Sequence, residues 1–232
     1  MTDTQIFQGK VKTVFSTAEP DKILIQYEDK VTAGNGRKVD FPDGKGEVCC
    51  QISELLFKKM EEAGIKTHYI DAYPRAIMCC KKLDILPVEV IVRNVAAGGI
   101  CRETPLPEGM EFKPPLVEFN LKDDDKNDPL LTPDRVRLMG INPVPLAQSA
   151  IKVNFNLQSL MSECGLDLVD FKLEYGYDEH GDLILADELS PDNMRLWKKG
   201  TKEKFDKDLF RKDEGNIVDT YKEVLVKLRQ FT

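Results

Sequence analysis

The chain has 232 residues, of which 41% are hydrophobic and 31% are charged, and its formal net charge is −7. This length suffices for one large domain or two closely packed lobes around a buried core. The acidic balance argues against a general nucleic-acid-binding surface, and no apolar run approaches the roughly 18 residues that a membrane span needs. Because residues 1–10 are polar and lack a signal-peptide pattern, we expect a cytoplasmic protein with neither nucleic-acid nor membrane partners.

The spacing of the cysteines and the presence of only two histidines argue against zinc catalysis and against a Ser-His-Asp triad. The six cysteines include two adjacent pairs but no Cys-x-x-Cys spacing, which is typical of reduced, buried side chains. His68 lies in a predicted strand and His180 in a predicted turn, so we assign neither a role.

The first segment predicts an antiparallel hairpin formed by residues 8–15 and 23–27. Lys10 and Lys12 share one face of its first strand, directly after Gly9. Two lysines beside a glycine suit nucleotide phosphates, although a Lys-x-Lys strand is more often a solvent-exposed face.

The next segments predict an antiparallel sheet with one helix packed against it. The glycine-rich residues 32–38 form either a mobile lid or a plain connector. Apolar residues then recur at helical spacing over 48–63 and stop at Gly64. Strands are predicted over 66–70, 76–83 and 88–92. The connector over 81–87 could hold an adenine edge along its backbone, but the same residues are consistent with an ordinary turn.

Arg93 ends a predicted strand and is followed by a small-residue loop with Gly98 and Gly99. A planar guanidinium at such a loop binds phosphate or carboxylate bidentately, while a surface salt bridge is equally consistent with the pattern. A strand over 116–121 precedes the charged loop 122–129, which is either a solvent-exposed tip or a segment that closes over a substrate. Long amphipathic helices are predicted over 146–164 and 216–229.

A β-hairpin over 168–189 is the centre of the prediction, with residues 180 and 181 as its turn. This register sets Glu174 directly opposite Asp187, with Lys172 on the same face. It also gives the opposite, apolar face Phe171, Leu173, Tyr175, Ile184 and Ala186.

Two opposed carboxylates repel each other and call for a cation between them. Oxygen ligands without a nearby thiol or imidazole favour magnesium, which usually takes one or two carboxylates plus nucleotide phosphates. A solvated acidic hairpin is the commoner case for a single pair. The acid-rich turn after Asp187, with Asp192 and Arg195 at a strand end, favours the Mg-nucleotide site.

Together these residues resemble the SAICAR synthetase family, the phosphoribosylaminoimidazole-succinocarboxamide synthases. The likeness runs nearly end to end, and its strength lies in the order and spacing of several modest motifs. These motifs are Gly9-Lys10-Val11-Lys12, Lys81-Lys82-Leu83-Asp84, Pro87-Val88-Glu89-Val90-Ile91-Val92-Arg93-Asn94, Asp170-Phe171-Lys172-Leu173-Glu174-Tyr175-Gly176, Asp187-Glu188-Leu189-Ser190-Pro191-Asp192 and Asp206-Lys207-Asp208.

The resemblance implies an α+β, two-lobed, ATP-grasp-like fold with antiparallel sheets and packed helices. A nucleotide-binding lobe, residues 1–86, would face a substrate- and metal-binding lobe, residues 87–232, with the nucleotide cleft between the lobes. The implied reaction is the ligation of L-aspartate to the carboxylate of 5-amino-1-(5-phosphoribosyl)imidazole-4-carboxylate (CAIR), with ATP and Mg²⁺, in a cytoplasmic homodimer.

The resemblance also implies a role for individual residues. The metal ligands would be Glu174 and Asp187, and the catalytic residues would be these two and Lys172. The ATP-binding residues would be Gly9, Lys10, Lys12, Lys82, Asp84 and Leu86. The substrate-binding residues would be Arg93, Gly98, Gly99, Lys122, Asp128, Asp192 and Arg195.

The chain departs from the family at two positions. Many members have serine in place of Gly99 and aspartate in place of Asn35. Neither departure touches the metal pair, so we expect activity. The alternatives are a small-molecule kinase, for which the chain lacks a Gly-x-Gly-x-x-Gly loop and a His-Arg-Asp segment, and a non-catalytic nucleotide-binding module.

Overall fold

The computed structural model describes residues 4–34 and 36–231, so the departure at Asn35 lies outside the described residues. The described strands are β1 (Gln5–Gln8), β2 (Lys12–Ser16), β3 (Lys22–Tyr27), β4 (Val31–Ala33), β5 (Lys38–Asp40), β6 (Tyr69–Tyr73), β7 (Ile77–Lys81), β8 (Asp84–Val95), β9 (Glu111–Leu121), β10 (Leu130–Leu131), β11 (Leu166–Tyr177), β12 (Leu183–Ala186) and β13 (Met194–Lys198). The described helices are α1 (Lys45–Glu62), α2 (Gly99–Glu103), α3 (Pro133–Leu138), α4 (Pro143–Glu163), α5 (Asp208–Lys212) and α6 (Ile217–Leu228).

The strands form two larger sheets and one small hairpin. The N-terminal sheet has the order β1-β2-β3-β7-β6, and the C-terminal sheet has the order β10-β9-β8-β11-β12. Strand β13 pairs with the first half of β11, beside β12 on the same edge, while β4 and β5 pair with each other. All named strand pairs are antiparallel, as the alternating sequence patterns predict.

The predicted long helices are confirmed, and their ends have local causes. The carboxylate of Asp29 accepts hydrogen bonds from the N–H groups of Gly44 and Gly46, at 2.9 and 2.7 Å, where α1 begins. The N–H groups of a first helical turn lack intrahelical partners, so this carboxylate stabilises the start of α1. At the other end, Gly64 has a φ of +75°, which a glycine adopts without strain.

The main core fills the space around α1, α4, α6 and the two central strands of the C-terminal sheet. Its largest fully buried side chains include Phe57, Tyr175 and Tyr221. None of the helices in the described part of the chain combines the length and apolar character that a membrane span requires.

The predicted register of the central hairpin is wrong by one residue. Glu174 pairs with Ala186, not Asp187, because the loop spans residues 178–182. Within this loop the carboxylate of Asp178 accepts hydrogen bonds from the N–H groups of His180 and Asp182, at 3.0 and 2.9 Å. This turn, built by an aspartate side chain, fixes a five-residue loop in place of a two-residue one.

The register shift also corrects the predicted face of β12. Ile184 pairs with Gly176 and Ala186 with Glu174, so these two residues are not on the face of Phe171. Two smaller differences concern the boundaries of strands. Strand β6 begins three residues later than predicted. Strand β8 begins at Asp84, so the second part of the expected connector over 81–87 belongs to this strand. The lobe boundary expected at residue 86 therefore falls inside β8.

Candidate active site

A cavity of about 1070 Å³ is lined by residues from both large sheets. Nearly all of the predicted site residues line it, whereas Asp84 and Gly98 do not. The predicted residues in the lining are Gly9, Lys10, Lys12, Lys82, Leu86, Arg93, Gly99, Lys122, Asp128, Lys172, Glu174, Asp187, Asp192 and Arg195.

One part of the cavity wall is apolar. It is made by side chains of the N-terminal sheet, among them Val14, Ile23 and Ile25, together with Leu86 from the start of β8. A wall of this kind suits a flat aromatic ring such as adenine. Lys12 begins β2 of the same sheet, and Lys10 lies in the turn between β1 and β2, not in the strand as predicted. Both line the cavity, so a ring against this wall would have its phosphates within reach of two ammonium groups.

The next part of the wall carries interleaved carboxylates and ammonium groups on β8 and β11. Glu89 pairs directly with Glu174 across these two strands. The Lys172 ammonium contacts Glu89 at 2.6 Å and Glu174 at 3.0 Å, and the Lys122 ammonium contacts the second oxygen of Glu174. Burial raises the pKa of Glu89, an effect that Lys172 partly offsets. Burial opposes the charge on Lys172, but Glu174 and Glu89 raise its pKa well above the ordinary value.

Asp187 reaches the same cavity from the end of β12. It has a φ of +63°, a conformation that aspartate tolerates better than most residues. Its carboxylate contacts the ammonium of Lys12. Although burial opposes ionisation, Lys12 and Lys172 hold the pKa of Asp187 well below its ordinary value. Although the predicted register was wrong, Asp187 and Glu174 line the same cavity.

The donor set of this wall fits a hard divalent cation. Its carboxylates supply only oxygen, which is what magnesium takes from proteins. Among residues 4–34 and 36–231, no group of three or more acidic, histidine or cysteine side chains is arranged to hold a metal alone. One or two carboxylates are what magnesium takes from a protein when its other ligands are water and nucleotide phosphate.

A row of three charged side chains crosses the C-terminal sheet at the other end of the cavity. Asp170 on β11 pairs with Arg93 on β8 and with Arg195 on β13. Its carboxylate accepts hydrogen bonds from both guanidinium groups, at 2.9 Å from Arg93 and at 2.8 and 3.0 Å from Arg195. Glu118 binds Arg93 at 2.5 Å, and Asp208 binds Arg195 at 3.1 Å. Two oriented guanidinium groups of this kind can bind a phosphate bidentately.

Gly98 does not line the cavity but lies against the guanidinium of Arg195. A Cβ built on Gly98 would fall 2.5 Å from Cζ of Arg195, and the residue has a φ of +65°. Only glycine allows both the close approach and this backbone conformation. At Gly99 the nearest atom to an added Cβ is Oε1 of Glu103, at 3.3 Å, so this position has more space.

Asp192 lines the cavity but is already engaged inside the protein. One carboxylate oxygen contacts the Lys45 ammonium and the other accepts a hydrogen bond from the Tyr221 hydroxyl at 2.9 Å. Lys45 and Asp192 side chains are each only 2% exposed. Burial opposes the charge of Asp192, yet Lys45 lowers its pKa to about 2. This buried ion pair joins the start of α1 to the turn before β13.

The loop after β9 closes one side of the cavity. Asp124 in this loop contacts the Lys10 ammonium at 2.5 Å, which joins the loop to the N-terminal sheet. Asp128 accepts a hydrogen bond from the N–H of Asp123 at 2.9 Å and has a φ of +45°. The carboxylate of Asp128 thus shapes the loop as well as facing the cavity.

Several cavity residues were missed by the sequence reasoning. Alternation along β8 could have found Glu89, because it lies four residues before Arg93 and hence on the same face. Asp170 carried the signal of an acid in an apolar strand. Three further residues gave no signal strong enough to assign a role, and these are His68, Lys207 and Arg211.

Comparisons with known proteins identify the family of the chain. The family model described as SAICAR synthetase matches residues 5–228. The chain is 44% identical over 227 residues to the phosphoribosylaminoimidazole-succinocarboxamide synthase of Staphylococcus carnosus, which covers 96% of this chain and 97% of that protein. It is also 44% identical over 227 residues to the enzyme of the same name from Methanocaldococcus jannaschii, covering 96% and 93% of the two chains.

Solved structures give the same result for the fold. A SAICAR synthetase in complex with ADP superposes with a TM-score of 0.93 at 40% identity and covers 96% of each chain. The phosphoribosylaminoimidazole-succinocarboxamide synthase of Ehrlichia chaffeensis gives a TM-score of 0.94 at 37% identity and covers 97% of this chain and 98% of that one. Because the family model and these relatives match nearly the whole length of the chain in sequence and in fold, the chain belongs to the SAICAR synthetase family.

Proposed function

We infer that this chain is an ATP-dependent ligase of purine biosynthesis, which joins L-aspartate to the carboxylate of CAIR to give SAICAR, ADP and phosphate. Membership of the family supports this function. One observation carries this function. A single cavity is lined by an apolar wall, by a cluster of paired carboxylates and lysines, and by the arginine row. An anionic ribonucleotide and a nucleoside triphosphate can meet between these three regions.

The nucleotide occupies the space between two lobes of an ATP-grasp-like fold. We place the lobes at residues 1–86 and 87–232, as the resemblance to the family implies, with the boundary inside the first part of β8. Adenine lies against the apolar wall and the backbone from Lys82 to Leu86, and the phosphates extend along Gly9 toward Lys10 and Lys12. Asp84 supports this segment from outside the cavity lining.

Glu174 and Asp187 hold the magnesium ion that accompanies ATP. When bound, Mg²⁺ neutralises phosphate charge and polarises the phosphoryl group that is transferred. Lys12, Lys122 and Lys172 already contact these carboxylates, so each ammonium lies where a phosphate oxygen would replace a carboxylate as its partner. Such preorganised charges stabilise a transferring phosphoryl group without reorganising at the moment of reaction.

The reaction proceeds through an acyl phosphate. A carboxylate oxygen of CAIR attacks the γ-phosphorus, the bond to the ADP oxygen breaks, and ADP leaves. The neutral amine of aspartate then attacks the acyl carbon, and the C–O bond to phosphate breaks as the nitrogen loses a proton. Lys172 and Lys122 bind the oxygens that gain charge in the two steps.

The arginine row binds the 5′-phosphate of the ribonucleotide. Arg93 and Arg195 donate to the phosphate from positions fixed by Asp170, and the backbone of Gly99 approaches it without a side chain in between. Gly98 makes room for Arg195. Asp128 and Asp192 complete the substrate side of the cavity.

Exposed apolar side chains on α3 and α4 support a homodimer. Leu138 is 88% exposed and Phe155 is 75% exposed, and Val144 and Ile151 lie on the same face of α4 as Phe155. An exposed apolar face of this kind is typical of a contact between subunits. Sedimentation of Phe155→Lys should show monomer, whereas an unchanged sedimentation coefficient would place the contact elsewhere.

An ADP-release assay with each substrate omitted in turn tests the ligase activity. ADP should form only when CAIR, L-aspartate and MgATP are all present, with SAICAR in equal amount. A phosphorylated product that is stable without aspartate would indicate a small-molecule kinase. Nucleotide binding without turnover in the complete mixture would indicate a non-catalytic module.

A further inference from the structure

Glu188 carries a buried carboxylate that the reaction above does not use. The residue is 5% exposed and lines the cavity directly after Asp187. Its Oε2 atom is inaccessible to solvent and has no hydrogen-bond partner within residues 4–34 and 36–231. A buried carboxylate oxygen without a hydrogen bond is costly, so the presence of Glu188 at this position calls for a physical reason.

The backbone of Asp187 brings two consecutive carboxylates to one ammonium group. Successive side chains of a strand point to opposite faces. The φ of +63° at Asp187 breaks this alternation, so Asp187 and Glu188 both approach Lys12. The Lys12 ammonium contacts Asp187 and lies 3.8 Å from Oε2 of Glu188. Within the described ranges, Lys12 is the only basic residue whose nitrogen lies within 4.0 Å of the Glu188 carboxylate.

The two carboxylates differ in exposure. The Asp187 side chain is 22% exposed, while those of Lys12 and Glu188 are 14% and 5% exposed. Asp187 is therefore the one at the cavity surface, where a metal ion would meet it, and Glu188 lies deeper. A metal ion and an ammonium group compete for the charge of Asp187, since both are cations that seek the same carboxylate.

We propose that Glu188 is a positioning residue whose carboxylate accepts the ammonium of Lys12 when Asp187 turns to a metal ion. This inference rests on the proposed function, in which Asp187 is a metal ligand. Without Glu188, the release of Lys12 from Asp187 would leave a partly buried ammonium without a counter-ion, and the metal would bind more weakly. The 3.8 Å separation is short enough for a small side-chain movement to close it.

Titration with Mn²⁺, monitored by the electron paramagnetic resonance signal of the free ion, tests this role without any turnover. Measured on the protein saturated with ADP, Glu188→Gln should weaken Mn²⁺ binding about tenfold, because a lost charge pair at this distance is a substantial interaction. In a Lys12→Met background the same substitution should cost much less, about twofold, because no ammonium then needs a second partner.

The double substitution separates positioning from other roles. Equal losses in both backgrounds would overturn the proposal, since they would mean that Glu188 acts on the metal directly or through its charge alone. Undetectable Mn²⁺ binding by the unsubstituted chain would overturn it as well. Glu188→Asp keeps the charge and should retain most of the Mn²⁺ affinity, so a tenfold loss in that variant would also contradict the proposal. The ADP-release assay judges the ligase function separately, so the two failures are distinguishable.

Discussion

Glu89 and Glu174 lie directly opposite each other on β8 and β11, and the ammonium of Lys172 contacts both carboxylates, at 2.6 and 3.0 Å. Like charges at directly paired positions destabilise a sheet. The arrangement persists because Lys172 and Lys122 supply positive charge between the acids. The chain thus keeps an unfavourable pair at the place where, in the proposed site, charge is needed for binding.

Glu89→Gln should therefore separate stability from activity. Removing one of the two facing charges should leave the free energy of unfolding unchanged or raise it by up to about 1 kcal/mol. The same change should lower kcat/KM at least about tenfold, because Lys172 loses the partner that helps to fix its ammonium. Urea denaturation and the ADP-release assay measure the two effects. A clear loss of stability with full activity would contradict this view of the site.

The two proposed metal ligands should be essential for activity and dispensable for folding. Glu174→Ala and Asp187→Asn should each lower kcat/KM by roughly a hundredfold or more, as expected when charge stabilisation at the transferred group is lost. We chose asparagine at Asp187 because it also tolerates a φ of +63°. Circular dichroism should show unchanged folding. Near-normal turnover of either variant would remove that residue from the metal site.

The neighbouring glycines 98 and 99 should respond differently to a side chain. Gly98→Ala should cost roughly 1–3 kcal/mol of stability and raise the KM for CAIR, because its Cβ meets Arg195 and the backbone is left-handed. Gly99→Ser is the matched control, since many members of the family have serine at this position. It should be tolerated, because a Cβ at residue 99 has more room than one at residue 98. Steady-state kinetics on both variants check this, and equal effects would contradict it.

The buried pair of Lys45 and Asp192 should dominate the stability of the junction between α1 and α6. Lys45→Met leaves a buried carboxylate without its cation, which typically costs about 3–5 kcal/mol. Tyr221→Phe removes one hydrogen bond to the same carboxylate and should cost about 1–3 kcal/mol. Urea denaturation at pH 7 gives both values. A smaller loss for Lys45→Met than for Tyr221→Phe would mean that the ion pair contributes little.

His68 should make the fold sensitive to mild acid. Burial lowers the pKa of His68 from 6.5 to about 4, so between these values the unfolded chain takes up a proton that the folded chain does not. Stability should therefore be lost as the pH falls from 6.5 through 4, by about 3 kcal/mol in total. Unfolding measured across this range should be flatter for His68→Gln. An equal slope in both proteins would assign the acid sensitivity to other groups.

Local patterns were sufficient to predict the long elements of the fold. The helices α1, α4 and α6 carry apolar side chains at helical spacing and have clear ends, so their sequences alone indicate them. Short elements depend on distant contacts. Helix α5 has only five residues, and the ammonium of Lys38 contacts the carbonyl of Phe210 and, at 2.7 Å, the carboxylate of Asp213 at its end. No pattern within the helix contains that information.

The residues that line the cavity were predicted more accurately than the strand register that places them. Alternation and composition brought Glu174, Asp187 and Lys172 together, and all three line one cavity. The expected strand register failed because the side chain of Asp178 lengthens the turn, an effect that composition does not measure. Glu89 was missed because it lies on β8, which pairs with the other edge of β11 but is distant from it in sequence.

Strand β11 also fixes the distance between the two ends of the proposed substrate site. Asp170, Lys172 and Glu174 occupy alternate positions of a regular segment, which ends in irregular pairing on either side. Four residues of extended chain span roughly 13 Å, and sheet hydrogen bonds on both edges keep this span from changing. In the site proposed above, a substrate would have to match that distance between its anionic tail and its reacting carboxylate. Analogues with a shortened or absent tail should be rejected by geometry, even where each end alone would bind.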